Sequence, residues 1–150
     1  MPEQQVAAVL DREARELLTG PNYAHVATLM DDGSPHSVPV WIDVDGQDRP
    51  VFYKEDDSIG FQNLKRDPRV ALSIVDVADP YRSVLIRGRV VEMQGEPAAR
   101  EWLNDRAFRY TGQAYPDPLP DAGTLVVVHP DRVSYQHAEG FRHAPPSGTP

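Results

Sequence analysis

The sequence of 150 residues contains no cysteine, which excludes disulfides, thiolate nucleophiles and metal sites built on cysteine. It also lacks any run of about 18 apolar residues, the length that a membrane-spanning helix requires. The N-terminus begins with acidic residues and a broken apolar pattern, which differs from a secretory signal. We therefore expect a cytoplasmic protein with no membrane partner.

Positive charge is scarce in this chain. There are 15 lysine and arginine residues against 23 acidic residues, giving a formal net charge of −8. Lysine occurs only at Lys54 and Lys65. Such a chain has no general attraction to nucleic acid or to an anionic surface. An anionic ligand would have to be held by a few local cations and by backbone amides.

The motifs of several common active sites are also missing. The sequence contains no Gly-x-Gly-x-x-Gly fingerprint, no P-loop and no Gly-x-Ser-x-Gly elbow. No two of its histidines stand four residues apart, the spacing of a zinc-binding helix. We therefore expect no metal site and assign no catalytic residue from these patterns.

Apolar residues alternate with other residues in several short segments, which predicts β-strands. The clearest case is 38–44, where valine and isoleucine occupy every second position and define one buried face. Turn residues at 31–34 and 45–46 join neighbouring strands as hairpins. The predicted strands cover 23–30, 38–44, 51–54, 70–76, 83–93 and 125–129, the last extended by 133–135.

Helical spacing of apolar residues predicts three helices, at 4–19, 58–66 and 97–110. Six or seven strands joined by short turns predict a mainly β (α+β) fold, an antiparallel barrel with peripheral helices. The turns are too short for the crossovers of a parallel sheet. We expect one domain over 1–136 and a flexible C-terminal tail over 137–150.

The helix predicted at 58–66 follows directly on a strand that ends near Lys54. Free backbone amides at its first turn would face the space beyond the strand end, an arrangement that suits phosphate. In the simpler interpretation, Asp57 or Ser58 only caps its own helix. The residues alone favour the simpler interpretation.

Five segments, taken in order, resemble the pyridoxamine 5′-phosphate oxidase-like split-barrel proteins. Within these, the chain is most similar to the actinobacterial flavin- and deazaflavin-dependent oxidoreductases. The segments are ATLMDDGSPHSVPVW (27–41), NLKRDPRVALSIVD (63–76), PYRSVLIRGRVVE (80–92), RYTGQAYP (109–116) and VVVHPDRVS (126–134).

The resemblance implies a homodimer of six-stranded split β-barrels that binds FMN or coenzyme F420 in a groove at the subunit interface. It also implies hydride transfer between that cofactor and a small organic substrate. In such a reaction the cofactor carries the chemistry and the protein positions it. The function expected on this basis is a cofactor-dependent oxidoreductase.

Site residues follow from the same resemblance. The strand at 38–41 would run along the cofactor ring, and the segment from 53 to 58 would lead into the phosphate site. Asn63 and the residue three before it would complete that site, with the 81–82 pair near the groove. The expected cofactor-binding residues are Val38, Pro39, Val40, Trp41, Lys54, Ser58, Gly60, Asn63, Tyr81 and Arg82.

The chain departs from the family pattern at the phosphate site. Gly60 stands where the family usually has a lysine, and two acids, Asp56 and Asp57, come shortly before it. The phosphate could still be bound by the helix amides, with Lys54, Arg82 or an arginine of a partner chain replacing the lysine. Alternatively, the groove takes a less phosphate-dependent flat molecule such as a tetrapyrrole, or the chain is a non-catalytic binding protein of the same fold.

Overall fold

The structure is a computed structural model that describes residues 7–116, 122–142 and 144. Within these residues the chain forms three helices and six strands. The helices are α1 (Arg12–Thr19), α2 (Ile59–Arg66) and α3 (Ala98–Thr111). The strands are β1 (Tyr23–Leu29), β2 (Pro35–Val44), β3 (Pro50–Glu55), β4 (Arg69–Val75), β5 (Arg82–Gln94) and β6 (Gly123–His137).

The six strands form a closed antiparallel barrel in the order β1-β2-β3-β6-β5-β4. The predicted fold class is therefore confirmed. The segments predicted separately at 125–129 and 133–135 belong to one strand, β6, which pairs with β3 and with the whole length of β5. Two register shifts along the β5/β6 pair allow these long strands to bend around the barrel.

The barrel interior is filled by every second residue of its strands, as a strand buried on one face requires. Phe52 is fully buried there, together with branched aliphatic residues from the other strands. Helix α1 adds Leu17 and Leu18 to the same core. Burying a side chain of this size contributes about 1.5–3 kcal/mol, so these residues dominate the stability of the barrel.

Helix α1 begins later than the sequence predicts. Residues 7–11 are not helical, and residues 1–6 lie outside the described part of the chain. The side chain of Asp11 accepts a hydrogen bond from the amide of Ala14 at 2.9 Å, which caps the helix and fixes its start. Val9, which the sequence places within the predicted helix, is 81% exposed, whereas Leu10 is buried.

The alternation in β2 is broken at Asp43, which is buried although its predicted face is the outer one. Its carboxylate forms ion pairs with Arg106 and Arg109 of α3. Buried charges need such partners, so α3 is held against β2 at this point.

The C-terminal end of β6 includes His137, the first residue of the predicted tail. Beyond it, the ring of Phe141 stacks on Tyr81 with centroids 5.2 Å apart. Residues 143 and 145–150 of that tail lie outside the described residues. The domain limits stay a prediction. None of the helices in the described ranges is long and apolar enough to cross a membrane.

Candidate cofactor site

A groove of about 460 Å³ is lined mainly by residues of β2 and β3. Its volume lies within the range of small-molecule sites, about 300–1,000 Å³. Half of the predicted site residues line it. The lining residues are Tyr23, Pro39, Val40, Trp41, Tyr53, Lys54, Glu55, Ser58, Leu103 and Tyr115.

Lys54 is the main cation of this groove. Its side chain is 9% exposed and lies on the first turn of α2. A Cβ on Gly60 would stand 3.0 Å from the Nζ of Lys54, so the lysine occupies the space that a side chain at residue 60 would need. Burial lowers the pKa of Lys54, and the charge of Glu55 partly opposes that shift.

No hydrogen bond or ion pair among the described residues engages the ammonium group of Lys54. Nearly every other buried charge in a folded protein is paired. Glu55, the adjacent residue in β3, is exposed and lines the mouth of the groove. The groove therefore holds a buried positive charge without a counter-ion from the described chain.

The first turn of α2 lies beside this lysine. Ser58 is the N-cap, and its Oγ accepts a hydrogen bond from the amide of Phe61 at 3.2 Å. The amides of Ile59 and Gly60 donate no hydrogen bond to any described residue. The capping interpretation is thus confirmed, and it leaves two amides of the first turn free to donate.

The two acids before α2 do not line the groove. Asp56 accepts a hydrogen bond from the Oγ1 of Thr124 at 2.7 Å, which directs its carboxylate toward β6. Its carbonyl oxygen accepts from the side chain of Gln62 at 2.8 Å. Asp57 is likewise not part of the groove lining. Neither carboxylate therefore lines the groove, where its charge would repel a bound anion.

Aromatic side chains form one wall of the groove. Trp41 stacks on Tyr110 with centroids 5.0 Å apart and an interplanar angle of 4°. The hydroxyl of Tyr110 accepts from the amide of Ile42 at 2.9 Å and donates to the carbonyl of Asn22 at 2.7 Å. Tyr110 is therefore fixed by β2 and by the loop before β1, and it holds the indole in place.

Tyr53 contributes a phenol to the groove. Its ring lies against the backbone of Gly123, and a Cβ at residue 123 would overlap the phenol. Burial raises the pKa of Tyr53 to about 12, reinforced by the charge of Glu55. The hydroxyl therefore keeps its proton at neutral pH and can donate a hydrogen bond to a ligand.

Two predicted residues, Asn63 and Val38, do not line the groove. Asn63 is buried, and its Nδ2 donates to the Oγ1 of Thr28 at 3.0 Å, while its Oδ1 accepts from Arg66 at 3.0 Å. The bond to Thr28 connects α2 to β1. Val38 is partly buried in β2 and does not line the groove.

Tyr81 and Arg82 also lie apart from the groove of their own chain. Arg82 donates to Tyr135 at 2.9 Å and pairs with Asp76 and Glu16 at 3.0 Å. With these partners, Arg82 is not the cation that replaces a lysine at residue 60 in this groove. Tyr81 stacks on the ring of Phe141, as described above.

The sequence did not predict three residues that line the groove, Tyr23, Leu103 and Tyr115, or Tyr110, on which Trp41 stacks. The last two lie in the segment RYTGQAYP, which carried part of the family resemblance without an assigned role. Helix α3 and the segment after it bring these two residues to the groove region from far along the chain, so no local spacing could identify them.

The fold defines the chain as a six-stranded split-barrel protein. A family model described as pyridoxamine 5′-phosphate oxidase matches residues 10–137. The chain therefore belongs to the pyridoxamine 5′-phosphate oxidase family, which confirms the resemblance stated from its sequence.

Solved structures show the same fold. An F420 reductase is 30% identical and has a TM-score of 0.71, with 80% of this chain and 94% of the other covered. A heme binding protein from Mycobacterium smegmatis is 27% identical with a TM-score of 0.63, over 91% of this chain and 57% of the other.

The conserved hypothetical protein Rv2991 from Mycobacterium tuberculosis is similar over 99% of both chains, at 22% identity and a TM-score of 0.72. At this identity the similarity shows the fold alone. A search of curated proteins finds no match.

Proposed function

We propose that the groove binds FMN or coenzyme F420 and that the protein is an oxidoreductase transferring hydride between this cofactor and a small organic substrate. The observation that carries the proposal is Lys54, a buried cation without a described counter-ion. An unpaired buried charge is unfavourable, so an anion that pairs with it binds with a corresponding advantage. Similarity to an F420 reductase supports the same class of ligand.

The phosphate of the cofactor fits the donors beside Lys54. These are the ammonium group, the amides of Ile59 and Gly60, and the hydroxyl proton of Ser58. A hydrogen bond between charged partners contributes about 1.5–3 kcal/mol. In this account β3 supplies the positive charge that the family usually places on α2, and the absence of a side chain at residue 60 leaves room for it.

The apolar wall of the groove fits a flat ring system. Pro39 and Val40 present apolar surface, and Trp41 offers the surface that Tyr110 does not cover. The bound cofactor supplies the hydride chemistry. The protein residues bind it, exclude water from one side, and place the protonated hydroxyl of Tyr53 in the same groove.

A second copy of the chain completes the groove in this proposal, as the family resemblance implies. Tyr23, on the groove wall, is 47% exposed, and Leu85, on the outer face of β5, is 45% exposed. Exposed apolar groups of this kind are available for a subunit contact. Sedimentation equilibrium should give the mass of a dimer, and a monomer mass at micromolar concentration would contradict this part of the proposal.

The experiment is a pair of fluorescence titrations of purified apoprotein, with FMN and with coenzyme F420, at low and moderate salt. Micromolar binding of one cofactor is the expected result. When that cofactor is supplied in its reduced form under anaerobic conditions, its reoxidation by a quinone-like acceptor is expected as well. Binding without turnover for a panel of acceptors would favour a non-catalytic binding protein. Failure of both cofactors to bind would contradict the proposal.

A non-catalytic binding protein for a flat molecule is the second candidate. The aromatic wall and the similarity to a heme binding protein favour it. An absorbance titration with haem separates the two candidates. A Soret shift at one equivalent, together with no binding of FMN or F420, would select the second candidate.

A further inference from the structure

A second cavity, of about 440 Å³, lies where β1, β4, β5 and β6 meet, and it shares no lining residue with the groove. Its lining combines apolar groups such as Leu29, Pro35 and Ala71 with arginine side chains. Several arginines around an apolar depression produce a local positive potential, although the chain as a whole is acidic. The charged lining residues are Arg69, Arg87, Asp131 and Arg132.

A β-bulge places two of these arginines together. Arg87 of β5 is directly opposite Arg132 of β6, and the next pair in the register is Gly88 with Pro130. Asp131 is therefore the extra residue of the bulge. A Cβ at Gly88 would overlap the carbonyl oxygen of the residue before Pro130, so the close approach of the two backbones requires glycine.

The pairing of Arg87 with Arg132 is unfavourable by itself. Like charges directly opposite one another in an antiparallel pair destabilise the sheet. No hydrogen bond or ion pair among the described residues engages either guanidinium group. Arg87 and Arg132 are thus two adjacent positive charges that no described residue compensates.

The neighbouring arginine pair shows the contrast. Arg69 and Arg89 are also opposite one another, on β4 and β5, but each has an acid. Arg69 pairs with Asp67 at 2.7 Å, and Arg89 pairs with Asp131 at 2.6 Å. Asp67 and Asp131 are therefore already paired, which leaves the guanidinium groups of Arg87 and Arg132 available to a ligand.

We propose that this cavity is a second binding site, for a small organic phosphate whose dianion lies between Arg87 and Arg132. Two guanidinium groups match the double charge and the oxygen geometry of a phosphate monoester. The small side chains of Ala27 and Ala71 continue the same row across β1 and β4, and they leave space for the apolar part of the ligand. This site does not depend on the function proposed for the groove.

The test is isothermal titration with phenyl phosphate at low salt. We expect the wild-type protein to bind this probe. In Lys54→Ala, whose groove has lost its cation, the binding that belongs to the second cavity should persist. Arg87→Gln and Arg132→Gln should each weaken binding by about ten- to a hundredfold, the loss of one charge-assisted contact. Arg142→Gln, which removes the same charge outside the cavity, serves as the control and should bind like the wild type.

A second readout separates a ligand site from a solvated surface. Without ligand, Arg132→Gln should raise the thermal midpoint, because it removes the like-charge contact. Phenyl phosphate should then stabilise the wild type more than the variant. Three results would overturn the proposal: no binding to the wild type, loss of binding in Lys54→Ala, or a change of oligomeric mass in Arg132→Gln, which would make this face a protein contact.

Discussion

The ammonium nitrogen of Lys54 lies 3.0 Å from the position that a Cβ on Gly60 would take. Lys54 of β3 thus fills the space that a side chain at residue 60 of α2 would occupy. Because Gly60 has no side chain, the side chain of Lys54 can be buried there. This relationship explains how a chain without the usual lysine on α2 keeps a positive charge at the end of its groove.

Replacing Gly60 with alanine should separate stability from binding. The new Cβ pushes the flexible end of Lys54 aside at small cost, and alanine favours the helix by about 0.5–1 kcal/mol. We expect urea unfolding to show equal or higher stability, while the affinity for FMN or F420 falls about three- to tenfold. Gly46→Ala, where the added Cβ meets no atom within 4 Å, is the matched control.

Moving the charge back to the helix should restore binding. The double variant Lys54→Ala/Gly60→Lys places an ammonium group in the same volume from α2 instead of β3. We expect it to regain at least half of the binding free energy that Lys54→Ala loses, measured in the same fluorescence titration. An affinity no better than that of Lys54→Ala would contradict this prediction, because it would show that an ammonium group on α2 cannot replace the one on β3.

The lowered pKa of Lys54 predicts a dependence of stability on pH. In the unfolded chain this lysine keeps its proton up to about its ordinary pKa of 10.5, whereas the folded protein releases it at lower pH. The unfolded state therefore binds more protons in this window, and stability rises with pH within it. In urea unfolding, the free energy of unfolding of the wild type should increase relative to that of Lys54→Met as the pH rises from neutral toward 10.5.

Groups other than Lys54 titrate equally in both proteins and cancel in that comparison. Saturating cofactor should flatten the difference, since a bound anion favours the charged lysine. Parallel pH curves for the two apoproteins would contradict the burial of a charged Lys54.

Asn63 should behave as a structural residue. Asn63→Ala leaves the buried hydroxyl of Thr28 without its donor and removes the acceptor of Arg66. We expect a loss of about 1–3 kcal/mol in the free energy of unfolding and little change in cofactor affinity. A loss of cofactor affinity with unchanged stability would contradict this prediction and would support the cofactor-binding role that the family resemblance implies for Asn63.

The sequence was sufficient for most of the barrel, because its strands obey the alternation that burial on one face imposes. It failed at Asp43, whose burial depends on Arg106 and Arg109 more than sixty positions away in the chain. It also predicted that α1 begins too early, because helical spacing of apolar residues includes Val9, whereas the N-cap at Asp11 fixes the start of the helix.

The site was predicted less completely than the fold. Strand residues 39–41 and the cap at Ser58 follow from local pattern and family resemblance, and the structure brings them to one groove. The position of the Lys54 side chain over Gly60 depends on how β3 meets α2, which no spacing encodes. The expected roles of Asn63 and Arg82 do not fit this groove because both are engaged in buried or ion-paired contacts elsewhere.

The most direct test compares the two lysines of the chain by titration with FMN and coenzyme F420. Lys65 lies over the ring of Phe61 at 5.6 Å on α2, so Lys65→Ala removes the same charge close to the site without touching the groove. We predict that Lys54→Ala weakens binding of the preferred cofactor about ten- to a hundredfold and that Lys65→Ala leaves it unchanged. Equal affinities for wild type and Lys54→Ala would contradict the account.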